Sequence, residues 1–143
     1  MLTMIKKISL RRAQIQTLLN EAERAYPLEA CALLLGKIRG DIVEVTDVLC
    51  SQNIRKSPVQ FEVDPEILYQ AYSRAENEGK EFIGVFHSHP ALAIPTETDL
   101  KYMESNSYLV WLILSTLDHN LAAYQWQREK ACKIEIQTFE EGS

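Results

Sequence analysis

The sequence predicts a mixed α/β (α+β) domain, and three observations carry that prediction. Short apolar or alternating runs of strand length recur from one end of the chain to the other. Two longer segments carry helical periodicity with recognisable ends, and the two kinds of segment are interleaved rather than segregated. With 143 residues, 46% of them hydrophobic, the chain suits a single core, which is usually built from roughly 100 to 200 residues. Residues 1–143 are therefore expected to form one domain, a mixed sheet of about six to eight strands packed between helices.

After a short strand in "IKKISL", Ile15, Leu18, Leu19, Ala22 and Ala25 recur at helical spacing with polar residues between them, so an amphipathic helix is expected to end before Pro27. "CALLLGKIRGDIVEVTDVL" reads as an apolar strand, a turn using Gly36 and Gly40, and a second strand rich in β-branched residues. "SQNIRKSPV" is a polar loop and "QFEV" a brief strand. Asp64 caps a helix opened by Pro65, with Leu68, Ala71, Tyr72 and Ala75 as its buried stripe and Gly79 as its stop. "EFIGVFHSH" is a strand, "PALAIP" a loop, and "TETDLKYMES" a short helix with Thr96 as N-cap. Three strands follow, "YLVWLILS", "LAAYQWQ" and "CKIEIQTF", the first wholly apolar and central, the last alternating and half exposed.

Composition excludes several classes. A net charge of −5 opposes the phosphate neutralisation by which nucleic-acid binders hold their ligand, so no nucleic-acid partner is expected. Cys31, Cys50 and Cys132 are odd in number and widely spaced, which gives neither a disulfide framework nor a CxxC metal knuckle; they read as small hydrophobes in a reducing compartment. "MLTMIKKISL" lacks the apolar core and cleavage site of a leader, and no later run approaches the ~20 apolar residues of a membrane span. A soluble cytoplasmic protein without membrane association is expected.

The chemistry concentrates in "GVFHSHPALAIPTETDL", residues 84–100. On a strand His87 and His89 share a face, with Cα atoms roughly 6.6 Å apart from two rises of about 3.3 Å. Two imidazoles at that separation can converge on one ion about 2.0 Å from each ring nitrogen. A loop stiffened by Pro90 and Pro95 lets Asp99, in the first turn of the next helix, return over them. Two neutral nitrogens and one carboxylate leave a fourth tetrahedral position open, the mark of a catalytic Zn2+ whose water is a nucleophile near neutral pH. Such a water needs a free carboxylate beside it as proton acceptor. Ser88, between the histidines, faces the other way and is read as a residue bonding within the sheet rather than a nucleophile. His119, beside Asp118 and Asn120, is read as a surface turn residue.

"HSHP" followed by "PTETD", with "YPLEACALLLGK" upstream, resembles the JAMM (MPN-plus) metalloprotease family. That family's pattern is a glutamate in a helix-to-strand turn, then HxHP, a short loop, serine, two residues and aspartate. The likeness runs from around Ile8 to Thr138 and implies a cytidine-deaminase-like fold. It implies that His87, His89 and Asp99 bind Zn2+ and that Glu29 is the general acid/base; Glu29 indeed sits at the mouth of the apolar "ACALLLG", where an idle carboxylate is out of place. Thr96 stands where the family has serine, which implies a hydroxyl helping to hold the oxyanion. Two departures are the His89–Thr96 loop, one residue shorter than is common, and Ala32 in place of a frequent glycine.

The resemblance implies an isopeptidase, deubiquitinase-like, that cleaves the amide after the C-terminal glycine of a ubiquitin-like protein. An alternative is a peptidase that releases cysteine or a peptide from a sulfur-carrier protein. Either partner would carry a C-terminal Gly-Gly tail, and the polar segment from Gln52 to Val59 is the candidate strand edge, or flanking loop, for an incoming tail. The short "STLDHNLAA" leaves no room for the second insertion of ubiquitin-chain specialists and indicates a compact type. A non-catalytic MPN scaffold is the alternative of another class, although such members have generally lost ligands.

Overall fold

The computed structural model describes residues 4–140, so the first three residues of the stretch read for a leader lie outside it. The elements in order are β1 (Lys7–Arg11), α1 (Arg12–Ala25), β2 (Cys31–Arg39), β3 (Ile42–Ser51), α2 (Pro65–Glu78), β4 (Glu81–His89), α3 (Glu97–Ser105), β5 (Val110–Ser115), β6 (Leu121–Gln127) and β7 (Lys130–Phe139). This is the mixed α+β arrangement expected, with seven strands and three helices among the described residues. No described helix is long and apolar enough to cross a membrane.

The strands hydrogen-bond in the order β1-β3-β2-β4-β5-β6-β7, and β1 also pairs with β7, so the sheet closes on itself. Closure removes the free sheet edge at which an incoming chain could pair. Of the two expectations for Gln52–Val59, the strand edge is corrected, because that segment is a loop after β3 and not an unpaired strand; the flanking loop stands. "QFEV" is likewise not a strand; Val63 makes only an isolated bridge to Asn53.

Side-chain alternation divides the interior into two apolar clusters. Ala32, Leu34, Phe86, Leu112, Leu114 and Ala123 pack with Leu18 and Ala22 of α1. Their neighbours Leu33, Leu35, Val85, Trp111, Ile113 and Tyr124 pack with Ala71 and Ala75 of α2 and Met103 of α3. The period of two along each strand forces this division, and it assigns the odd-numbered His87 and His89 to the α2/α3 face and Ser88 to the other.

α2 begins and ends as the sequence indicates: the Asp64 carboxylate accepts from the Glu66 amide, Pro65 takes the first position, and Gly79 terminates it in the left-handed conformation. Its buried side is narrower than expected, because Leu68 and Tyr72 are 37% and 53% exposed. Gly36 does not belong to the β2–β3 turn. It sits inside β2 at a bulge, where an added Cβ would lie 1.9 Å from the Glu44 carbonyl oxygen, so close approach of two backbones demands glycine there. Only Gly40, in the left-handed region, serves the turn.

β4 and β5 are parallel, with His87 beside Ile113 and His89 beside Ser115, and α3 is the crossover between them. In such a unit the crevice at the carboxyl ends of the strands is where side chains and loops can meet a ligand. The histidines occupy that end.

Candidate functional site

Glu29 enters the site from the connection between α1 and β2. Its amide donates to the Ser57 carbonyl (2.8 Å), and the next residue is tied to β4 twice: the Ala30 amide donates to Ser88 Oγ (2.9 Å) and the Ser88 amide to the Ala30 carbonyl (3.0 Å). The Ser88 hydroxyl thus bonds not within the sheet, as expected, but to the connection just before β2, and so fixes the turn carrying Glu29 beside the histidines. Asp99 is placed by a reciprocal cap at the start of α3. Its amide donates to Thr96 Oγ1 (3.1 Å) while its own Oδ2 accepts from the Thr96 amide (2.9 Å).

The structure brings together all five residues singled out, Thr96 through its bonds to Asp99. Glu29, His87, His89 and Asp99 are each 1–4% exposed. His87 Nδ1 lies 3.1 Å from Glu29 Oε1 and His87 Nε2 lies 3.2 Å from Asp99 Oδ1, while the two imidazole centroids are 5.4 Å apart. Neither carboxylate approaches His87 in line for a hydrogen bond; both of its ring nitrogens, and His89 Nε2, are buried without a hydrogen-bonding partner. Among the described residues no three His, Cys, Asp or Glu side chains are arranged so as to hold a metal ion. The chemistry of the donor set nevertheless fits Zn2+: two buried imidazoles whose ring nitrogens lack hydrogen-bonding partners, beside a carboxylate, are groups whose burial a divalent cation compensates once the rings are neutral.

Aromatic rings close over the pair. Phe61 stacks on His87 with centroids 4.7 Å apart, and Trp111 meets His87 edge-on at 6.1 Å. Those rings make the surroundings of His87 apolar, which strengthens the charge interactions it makes.

The two carboxylates are driven in opposite directions. Burial pushes the Glu29 carboxyl up, outweighing the pull of His87, and the charge of Asp99 adds to the rise. Asp99 is buried as well, but His87 and the two Thr96 bonds hold its carboxyl below the usual range. Burial also works against the His87 cation, yet Asp99 and Glu29 together push it up to about 9. Burial and the neighbouring His87 charge lower His89. The two neighbouring carboxylates thus differ in environment, Glu29 raised and Asp99 lowered.

Beside Glu29 and Asp99 opens a cleft of about 50 Å³, large enough for a water molecule. Thr96, Phe61 and Tyr102 line it, and the last two also border an apolar groove of about 440 Å³ floored by Leu33, Val85 and Trp111. His119 lies elsewhere, exposed in the β5–β6 turn with φ 64°.

Residues 11–129 match the model of a family described as prokaryotic homologs of the JAB domain. The chain belongs to that family. As a prokaryotic JAB-domain protein it is a compact member of the JAMM/MPN group that its motifs resemble. A protein named desampylase from Pyrococcus furiosus is 34% identical over 110 residues, 76% of this chain and 75% of that one. Another of the same name from Haloferax volcanii is 30% identical over 112 residues, covering 77% and 78%. A Desulfitobacterium hafniense protein of known solution structure superposes with a TM-score of 0.81 at 30% identity over 94% of both chains.

Three contributors escape a linear reading. Phe61 falls in a run that reads as a strand, and only the tertiary structure puts its ring on His87. Tyr124 Oη donates to the Ala93 carbonyl (2.7 Å), pinning the loop that leads to Thr96. Asn53, in a stretch that reads only as polar, is 6% exposed. No local signal marks any of the three.

Proposed function

We propose that this JAB-domain protein is a zinc-dependent isopeptidase that removes a ubiquitin-like modifier by cleaving the amide after its C-terminal glycine. The observation that carries the reading is the convergence of Glu29, His87, His89 and Asp99 in one buried cluster beside a cleft. His87, His89 and Asp99 would hold Zn2+, which would supply Lewis acidity and a water made acidic enough to attack near neutral pH. Glu29 takes the proton released on attack and returns it to the leaving amine as the C–N bond breaks; its burial-raised pKa suits a group that must hold a proton and then yield it. Thr96 uses its oxygen to accept from the Asp99 amide, so its hydroxyl proton remains to donate to the oxyanion.

Substrate class is supported by the two desampylase relatives and by shape. The cleft is too narrow for side chains, which suits a Gly-Gly tail, and the adjoining apolar groove suits the residues that precede it. This replaces the strand edge as the docking route. The same reading takes residues 1–143 as one domain of cytidine-deaminase-like fold acting in the cytoplasm, for which three unpaired cysteines are suited.

The test incubates zinc-supplemented protein with a ubiquitin-like modifier linked to a lysine side chain and, separately, with a carrier–cysteine adduct, reading products by intact mass. Release of modifier ending in Gly-Gly from the first supports the isopeptidase. Turnover of the second alone moves the function to sulfur-carrier processing. No turnover of either, with less than about a tenth of an equivalent of zinc retained, assigns a scaffold.

A further inference from the structure

The segment from Gln52 to Val63 is a compact loop with its ends drawn together, not a slack connection. The Ile54 amide donates to the Glu62 carbonyl (3.0 Å), Asn53 bridges to Val63, and Ser51 Oγ accepts from the Asp64 amide (2.8 Å). At its centre lies the Asn53 side chain. Its Oδ1 accepts from the amides of Arg55 (3.0 Å) and Glu62 (3.0 Å), and its Nδ2 donates to the carbonyls of Ser57 (3.3 Å) and Gln60 (2.9 Å). Two accepted and two donated bonds exhaust what a primary amide offers. This one buried amide bonds the backbone near the loop's start, at Arg55, in its middle, at Ser57 and Gln60, and at its end, at Glu62.

What the loop touches gives this bonding a use. The Ser57 carbonyl that accepts from Asn53 also accepts from the Glu29 amide, so a single oxygen joins Asn53 to the residue placed as proton carrier. Three residues after Ser57 the chain returns through Gln60 to Phe61, whose ring lies on His87. Arg55, Val59, Gln60 and Phe61 together form one wall of the cleft beside Glu29.

We propose that Asn53 is a positioning residue: by closing the 53–62 loop it holds the Ser57 carbonyl on the Glu29 amide, the Phe61 ring on His87, and the cleft wall against which a substrate tail would lie. It touches no reacting atom itself. The effect on turnover rests on the isopeptidase reading above, whereas the effect on the loop does not.

The experiment compares the full-length zinc-supplemented wild type with Asn53→Ala and Asn53→Asp. Amide hydrogen exchange reads the loop. In Asn53→Ala, exchange at Glu29, Arg55 and Glu62 is expected to quicken at least about tenfold while Ala123 in β6 keeps its wild-type rate. In Asn53→Asp, which retains both acceptor bonds and loses both donor bonds, Glu29 quickens and Arg55 and Glu62 stay slow. On a lysine-linked ubiquitin-like modifier, KM is expected to rise by about tenfold in Asn53→Ala, whereas loss of folded protein alone would lower apparent kcat and leave KM unmoved. If Asn53→Ala fails to fold, Asn53→Asp is read for Glu29 exchange and KM in the same way. A Glu29 exchange rate within about twofold of wild type, or an unchanged KM in an active variant, overturns the assignment. Accelerated Glu29 exchange with no cleavage even by wild type leaves Asn53 in its role and defeats the isopeptidase reading instead.

Discussion

Replacing Glu29 by glutamine tests the proton carrier with the least disturbance. Glutamine has the same shape as glutamate and can occupy the same pocket, 2% exposed, with its side-chain oxygen still facing His87. What it cannot do is accept a proton from water and deliver it to an amine. General acid–base catalysis by a positioned side chain contributes about 10²- to 10⁴-fold, or roughly 2.7 to 5.4 kcal/mol of transition-state stabilisation at 1.36 kcal/mol per decade. The loss is expected in kcat rather than KM, because Glu29 borders the cleft while the apolar groove that would seat the tail is made by other residues. Zinc content is expected to stay at the wild-type level, because the proposed ligands His87, His89 and Asp99 are untouched. The assay is initial-rate release of modifier from a lysine conjugate across a range of substrate concentrations, with metal analysis on the same preparation. A kcat within about threefold of wild type at equal zinc content removes Glu29 from the chemistry.

Zinc should stabilise the folded chain by mass action, about 4 kcal/mol at a thousandfold excess over its Kd and roughly 10 °C in melting midpoint, and His89→Ala should abolish that shift in a thermal melt. Tyr124→Phe deletes a buried hydroxyl and strands the Ala93 carbonyl, so a loss of about 1 to 2 kcal/mol in urea titration is expected, with faster exchange at Asp99 whose cap that loop leads into. An effect below the error of the titration would mean that water replaces the hydroxyl. The third test is pH dependence through Asp47. Burial pushes its carboxyl upward, but hydrogen bonds from Lys80, Thr46 and Arg74 outweigh this and hold it below its ordinary 3.8. A lowered carboxylate contributes stability that is present above its unfolded pKa and lost as pH falls through the folded one. Lys80 is raised above 10.5 by its bonds to Asp47 and Glu78, so its share is present below that value and lost at higher pH. Asp47→Asn should therefore lose about 1 kcal/mol at pH 7, and the difference from wild type should shrink as pH falls below 3.8 through the folded pKa, measured by urea midpoints at each pH.

The strands and helices were legible because each carries its physics locally. Asp64-Pro65 and Gly79 announce the ends of α2 through unsatisfied amides and a left-handed residue, and the wholly apolar run from Val110 to Leu114 can belong only to a strand covered on both faces. His87 and His89 were legible for the same reason: a period of two puts them on one face whatever the rest of the chain does. The misreadings all concern relations between distant segments. Gly36 looks like a turn glycine until Glu44 arrives across the bulge. Leu68 and Tyr72 fit a buried stripe by spacing, but the sheet beneath α2 is covered by Ala71 and Ala75, and the two larger residues are left at the rim of the apolar groove. Pairing of β1 with β7, which closes the sheet, joins residues more than a hundred positions apart and has no signature in either strand.

The same distinction says where function should be most sensitive. Three side chains of the proposed centre sit on or beside elements whose existence is local, but depend on contacts from elsewhere: Glu29 on the Ser57 carbonyl and, through Ala30, on Ser88; His87 on the Phe61 ring; and Asp99, aimed by its cap with Thr96, on the loop pinned by Tyr124. A core truncation such as Phe86→Ala, at a residue with no exposed surface, removes about 3 to 5 kcal/mol and lowers the amount of folded protein without re-aiming what remains. Loosening one of the distant bonds removes far less stability, yet it can move a carboxylate by an ångström, and misplacement of that size can cost about a hundredfold in rate. Substitutions in the 52–63 loop and around Ala93 should therefore separate activity from stability, and core substitutions should not. Parallel losses of rate and stability across both sets would mean that the site is held by the fold as a whole and not by these individual bonds.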